Sequence, residues 1–213
     1  MSKPIRVLIA DDHAIVRQGL RQILSDTPDM LVAGEAENGV QALQMVRQGG
    51  WDVVLMDVTM PERNGIDTLK LLKKEFPKLP VLILSMHPEE HYAIRALKAG
   101  ASGYLTKQSA PEQLVTAIRQ VAGGKKYVSA AVAEELANAI GEDTDKLPHE
   151  KLSDREYQTL CMIASGKALS QIAEELNLSV KTVSVYRARL LEKMRLKNNA
   201  ELTHYGLKHG LVE

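Results

Sequence analysis

Over the first 124 residues, short apolar runs alternate with stretches whose apolar residues recur at helical spacing. Ile5-Arg6-Val7-Leu8-Ile9-Ala10 predicts a buried strand. Asp11-Asp12-His13 ends it, and Ile15, Val16, Leu20, Ile23 and Leu24 predict the first helix. A second strand, Leu31 to Ala36, leads to Asn38 as N-cap of a helix with Val40, Leu43 and Val46 inward, stopped by Gly49-Gly50. The third strand runs from Val53 into Asp57, and Pro61 with Asn64-Gly65 marks a tight loop after it. In the next helix Ile66, Leu69 and Leu72 face inward, with Lys70, Lys73 and Lys74 on a solvated face. A fourth run, Val81-Leu82-Ile83-Leu84, ends at Ser85, and Pro88 suits the first turn of the helix that follows. Gly103-Tyr104-Leu105 ends at Thr106-Lys107, and Ser109-Ala110-Pro111-Glu112 has the form of a capping box opening a fifth helix to Gly123-Gly124.

Five strands alternating with five helices predict a parallel sheet covered on both faces, in flavodoxin-like or Rossmann-like order. Beyond it the pattern changes. Residues 125–147 hold a short helix candidate, Ser129 to Ile140, and an almost wholly polar stretch, Gly141 to Lys146, that reads as a linker. From 148 to 213 the pattern is all-helical. Ser153-Asp154-Arg155-Glu156 is a capping box, Leu169 to Leu176 a second helix, Asn177-Leu178-Ser179 a turn, Val180 to Met194 a third helix, and Asn198 caps a last one ending at Gly210. Two helices joined by a tight turn predict a helix-turn-helix.

Polar placement carries the chemistry. Asp11 and Asp12, Asp57, Ser85 and Lys107 each follow an apolar strand, at the carboxyl end where loops of a parallel sheet converge on ligands. Crowded carboxylates call for a hard divalent cation such as Mg²⁺, with Asp12 and Asp57 as direct ligands. A carboxylate can attack phosphorus to give an acyl phosphate while Lys107 and Mg²⁺ neutralise charge and Ser85 donates to a phosphoryl oxygen. Asp57 is thus the candidate phosphate acceptor. His13, His87 and His91 have no zinc-ligand spacing, and Trp51 reads as a packing anchor.

Charge matters once it is divided along the chain. The totals balance at 27 and 27, yet from Lys151 onward there are ten basic and seven acidic residues, against seventeen and twenty before it. Lys181, Arg187, Arg189, Lys193, Arg195 and Lys197 lie in one stretch with only Glu192 opposing them. With Val180, Val183, Leu190 and Leu191 packed inward, Lys181, Thr182, Ser184, Val185, Arg187 and Ala188 would face double-stranded DNA, with Arg189 and Lys193 adding charge for its phosphates. Cys161 is the only cysteine, which excludes an intrachain disulfide and fits a reducing compartment. With no apolar run of membrane-spanning length and no signal peptide, a cytoplasmic location without membrane contact is expected.

The chain resembles two-component response regulators of the NarL/FixJ type, an α/β receiver of flavodoxin-like order followed by a small all-α LuxR-type helix-turn-helix domain. The motifs behind this are Ala10-Asp11-Asp12-His13, Leu55 to Pro61, Gly65, Ser85, Lys98-Ala99-Gly100-Ala101, Gly103-Tyr104 and Lys107. In the second part they are Leu152 to Glu156, Ile172-Ala173, Leu176, Ser179, Lys181-Thr182-Val183, Tyr186 and Lys193. The resemblance implies receiver residues 1–124 and DNA-binding residues 148–213. It implies Asp57 phosphorylated by a sensor histidine kinase or a small phosphodonor, and Mg²⁺ held by Asp11, Asp12, Asp57 and the Thr59 backbone carbonyl. Ser85 and Tyr104 would be switch residues, helix one near Ile15 and Val16 a kinase contact, and Leu202 and Tyr205 part of a dimerisation helix. Function would then be phosphorylation-controlled binding of promoter DNA as a homodimer, with no enzymatic turnover beyond self-phosphorylation and autodephosphorylation.

Two departures from the pattern bear on detail. Gln108 follows Lys107 where many receivers have proline, and Ser184 and Ala188 stand where some relatives read bases with lysine. Two other functions use the same residues. A Mg²⁺-dependent phosphohydrolase would want its nucleophile after the first strand and a second acid two residues on, where His13 stands; a phosphorylation-independent transcription factor would use the receiver only for protein contacts.

Overall fold

In the computed structural model, residues 3–86, 89–129, 132–134 and 147–212 are described, the side chains of residues 89–91 excepted. The chain divides into two compact units, Met1–Asn138 and Ala139–Glu213.

The first unit carries β1 (Ile5–Ala10), α1 (Ala14–Ser25), β2 (Met30–Ala36), α2 (Gly39–Gln48), β3 (Val53–Asp57), α3 (Gly65–Glu75), β4 (Val81–Ser85), α4 (Glu89–Lys98), β5 (Gly103–Thr106) and α5 (Pro111–Ala122). The strands are all parallel, in the order β2-β1-β3-β4-β5, which is the flavodoxin-like order. Their continuous apolar runs follow from burial on both faces. Val7, Ile9, Val53, Leu55, Leu82, Leu84 and Leu105 pack with Leu24 of α1 and with Leu114, Ile118 and Val121 of α5. Leu8, Val54, Met56 and Ile83 alternate to the other face and are also fully buried.

Local chemistry places the element boundaries. Asn38 and Asn64 accept from the backbone N–H of Gln41 and Asp67, capping α2 and α3. Gly65 is needed because a Cβ there would collide with the carbonyl oxygen of Asp57, so α3 starts against the end of β3. Before α5 the cap lies one residue later than the sequence pattern predicts. Ala110 is the N-cap, its N–H donates to Gln113 Oε1, and Ser109 pairs with Thr106 instead. Ile15, part of the apolar pattern of α1, is 84% exposed, and α1 buries Arg17 and Leu24. Lys73, expected on a solvated face, is half-buried. The expectation for Pro88 and most of the helix expected over 129–140 fall outside the described residues.

The second unit holds a 3₁₀ turn (Pro148–Lys151), α6 (Asp154–Ala164), α7 (Leu169–Glu175), α8 (Val180–Met194) and α9 (Asn199–Lys208). Ile172, Val183, Leu190, Met194 and Leu202 are buried in its core with Tyr157, Leu160 and Ile163. Between α7 and α8 the chain turns through Asn177 at φ 50°, and Ser179 accepts from the Thr182 N–H to cap α8. Val180, expected in the core, is 48% exposed. The residue just after an N-cap points along the entering chain, and periodicity alone does not fix its face.

Candidate phosphoacceptor site and DNA-facing helix

At the carboxyl edge of the sheet, Lys107 bridges two carboxylates. Its Nζ lies 2.6 Å from Asp11 Oδ2 and 2.9 Å from Asp57 Oδ2, and all three side chains are buried. The order β1-β3-β4-β5 brings them together, since Asp11 follows β1, Asp57 ends β3 and Lys107 follows β5. The Lys107 N–H donates to the Ser85 carbonyl, which ties the β5 loop to the end of β4. Ser85 and Tyr104 are both buried, in β4 and β5.

Asp11 also organises the β1–α1 turn. Its Oδ1 accepts from the His13 N–H at 2.8 Å, and its backbone carbonyl accepts from the buried Arg17. Arg17 in turn holds Glu35 and Glu37 at the end of β2. Sequence reasoning missed this clamp, because an arginine within a helical pattern gives no sign that it points into an acidic corner.

The site's electrostatics follow from burial. Desolvation pushes the Asp57 carboxyl up to about 6; Lys107 works against that rise, Asp11 adds to it, and a hydrogen bond from the Thr59 backbone lowers it. For Lys107, burial opposes the charge, but Asp57 and Asp11 outweigh it and hold the ammonium above its ordinary range. Ligand atoms of Asp11, Asp12, His13 and Asp57 lie within 4.8 Å of one another. Asp11 Oδ2 and Asp12 Oδ1 are buried, with Lys107 Nζ 2.6 Å from the first and His13 Nδ1 2.8 Å from the second. Buried carboxylate oxygens with unused lone pairs fit a hard divalent cation.

In the second unit, Lys181, Ser184, Val185, Ala188 and Arg189 are exposed on α8. Thr182 is half-buried beside Ser179, 2.8 Å from its hydroxyl. Arg187 is half-buried, and its Nε donates to Asn199 Oδ1 at 2.5 Å. Lys193 lies 2.6 Å from Glu156 Oε2. Glu156 is buried and completes the α6 capping box by accepting from the Ser153 N–H. Burial works against its charge, but Lys193 and Ser153 outweigh it and hold the carboxyl below its usual range. Lys193 and Glu156 thus join α8 to the start of α6. Leu202 is fully buried within its own unit and anchors α9 internally, while Tyr205 is half-buried with its hydroxyl 2.9 Å from His149 Nδ1. The exposed large apolar residue of α9 is Leu207, 53% accessible.

The raised Asp57 pKa has a definite consequence for stability. Between about pH 4 and 6 the folded state binds a proton that the unfolded state has lost, so this group's contribution falls as pH rises through that window. Above it, the buried charge costs up to roughly 3 kcal/mol. In chelator at about pH 7.5, Asp57→Asn should raise the urea-denaturation stability of the chain, with the gap closing toward pH 4. A variant less stable than the wild type at the higher pH would mean that the Lys107 pairing outweighs the cost of burial.

Comparison with known proteins agrees with this geometry. Residues 7–119 match the family described as response regulator receiver domain, and residues 150–206 match bacterial regulatory proteins, luxR family. Response regulator UvrY of Escherichia coli K12 is 38% identical over 208 residues, covering 97% of this chain and 95% of that protein. Response regulator GacA of Pseudomonas aeruginosa is 37% identical over 210 residues, 98% of each. Among solved structures, RcsB from Salmonella enterica serovar Typhimurium, bound to promoter rprA in the presence of phosphomimetic BeF3-, aligns with a TM-score of 0.63 at 28% identity. That alignment covers 95% of this chain and 98% of RcsB. This chain belongs to the response regulators of two-component systems, with a receiver domain followed by a LuxR-type DNA-binding domain.

Proposed function

We propose that Asp57 accepts a phosphoryl group from a sensor histidine kinase or a small phosphodonor, and that this controls promoter binding through α8. The observation that carries the reading is Lys107 held between Asp11 and Asp57 in a buried acidic site. An oxygen of Asp57 attacks phosphorus, the bond to the donor's imidazole or acyl oxygen breaks, and that leaving group departs with its electron pair. Lys107 neutralises charge on the transferring group, and Ser85 supplies a donor to a phosphoryl oxygen. Asp11, Asp12, Asp57 and the Thr59 carbonyl would hold Mg²⁺, which supplies charge neutralisation when bound. The chain acts as a phosphoacceptor rather than a turnover enzyme.

Exposed Ile15 lies on α1, and an apolar cavity of about 280 Å³ is lined by Val16, Leu20 and Ile23 together with Leu105 and Leu114. We assign this face to the kinase. Ser85 and Tyr104 would carry the switch. Residues 125–147 would link the receiver to the DNA-binding residues 148–213. On α8 the proposed DNA-facing set is Lys181, Ser184, Val185, Ala188 and Arg189, with Thr182 at the helix start. Arg187 and Lys193 are held by Asn199 and Glu156, so their first role is to position the helix. A homodimer of the phosphorylated form would use α9 through Leu207 rather than through Leu202.

Incubation with acetyl phosphate and Mg²⁺ should add one phosphoryl group to the wild type, read by intact mass, and none to Asp57→Asn. Labelling that persists in the variant would remove Asp57 as the acceptor. For the second domain, Lys181→Ala should weaken DNA binding by roughly 1 kcal/mol and reduce its salt dependence, with no change in stability. Lys193→Ala should instead lower stability by about 1–3 kcal/mol by leaving the buried Glu156 carboxylate without its cation. A Lys193→Ala protein with unchanged denaturation and lost DNA affinity would return that lysine to the DNA-contacting set.

A further inference from the structure

The amino-terminal edge of the receiver sheet, opposite the Asp57 end, gathers four lysines around one cavity. Lys73 from the last turn of α3, Lys78 from the following loop, and Lys125 and Lys126 beyond α5 line a space of about 310 Å³ next to Gly100 and Ser102. No acidic residue lines it, and none of these lysines is ion-paired with a carboxylate among the described residues. A helix C-terminus attracts a cation in its last turn. That accounts for Lys73, but not for its meeting two lysines from beyond another helix.

The ammonium groups are held in place. Lys73 donates to the Leu79 carbonyl and Lys126 to the Ala101 carbonyl. A Cβ at Gly100 would press on the Lys73 stem at 3.0 Å, so glycine leaves room for it there. Each ammonium keeps further donors beyond the one its carbonyl uses. Burial lowers the proton affinity of both lysines, and for Lys73 the charge of Lys126 adds to the effect. Like charges brought together without carboxylates are relieved by an anion that accepts from several of them at once.

An adjoining cavity of about 650 Å³ shares Pro77, Lys78, Pro80 and Gly124 with the first, and adds Trp51 and Phe76. These are the chain's only tryptophan and only phenylalanine. The two acids that line it are engaged elsewhere: Asp52 accepts from the Arg6 N–H, and Glu75 is clasped by Arg47. A cationic space opening onto an aromatic one has the character of a site for a ligand with both phosphates and a ring.

We propose that this edge of the receiver binds a polyphosphate-bearing small molecule, with Lys73 and Lys126 on phosphate oxygens, supported by Lys78 and Lys125. In a nucleoside polyphosphate the base would lie against Trp51 and Phe76. The site is separate from the phosphoacceptor site and stands or falls independently of it.

Calorimetric titration of the full chain in Mg²⁺-free buffer tests this, using inorganic tripolyphosphate, a nucleoside triphosphate and the uncharged nucleoside, with Trp51 fluorescence followed in parallel. Saturable binding of tripolyphosphate is expected. It should weaken about tenfold or more in Lys73→Gln and in Lys126→Gln, weaken less in the loop variant Lys78→Gln, and be retained in Lys126→Arg and Asp57→Asn. Tighter binding of the nucleotide with a change in Trp51 emission would assign the ring to the adjoining cavity; equal affinities with silent Trp51 would assign inorganic polyphosphate. No saturable binding, binding unchanged in the lysine variants, or nucleoside binding as tight as that of the triphosphate would overturn the proposal.

Discussion

Two buried carboxylates at the ends of neighbouring strands need a cation, and the arrangement of the receiver follows from meeting that need. Lys107 contacts both Asp11 and Asp57 from beyond β5. It does so only if β1, β3, β4 and β5 lie in that order with their carboxyl ends aligned. The apolar strands and the helices on both faces supply the alignment, and the hydrogen bond from Lys107 N–H to the Ser85 carbonyl holds the reach across β4. A single lysine does not offset all of the burial, which is why the Asp57 carboxyl is still pushed up to about 6. An acidic site short of positive charge is suited to a divalent cation, whose charge an incoming anionic phosphoryl group would also need.

The second unit uses a similar device for a different purpose. Glu156 closes the cap of α6 and receives Lys193 from α8, while Arg187 reaches Asn199 at the start of α9. These contacts fix the orientation of α8 from behind and leave Lys181, Ser184, Val185, Ala188 and Arg189 outward. A basic helix therefore divides into residues that hold it and exposed residues, the latter being the set proposed to face DNA. Val185, 42% exposed, is an apolar side chain on that outward face, which in the proposed function would suit a thymine methyl group.

Most of the sheet was legible in the sequence because strands buried on both faces read as unbroken apolar runs, and Asp11, Asp57, Ser85 and Lys107 were legible because each closes such a run. What escaped has a common cause. Helical periodicity shows which residues share a face, but not what covers that face. Val180 was therefore expected inside and is 48% exposed, and Lys73 was expected outside and is half-buried. Contacts between distant segments left no periodic trace at all: Arg17 with Glu35 and Glu37, Lys193 with Glu156, and Tyr205 with His149. Leu202 matched the family's dimerisation helix by position, yet it is fully buried within its own unit.

Control of the DNA-facing helix by the state of Asp57 is the link on which the proposed function rests. It is read most directly from the affinity of the full chain for a promoter fragment selected from genomic DNA, measured at fixed salt with and without Mg²⁺ and beryllofluoride. Wild-type affinity should tighten by roughly tenfold, within the usual range of coupling free energies, and Asp57→Asn should show no change. Equal affinities of the wild type in the two conditions would contradict phosphorylation control and favour a regulator that binds DNA regardless of Asp57.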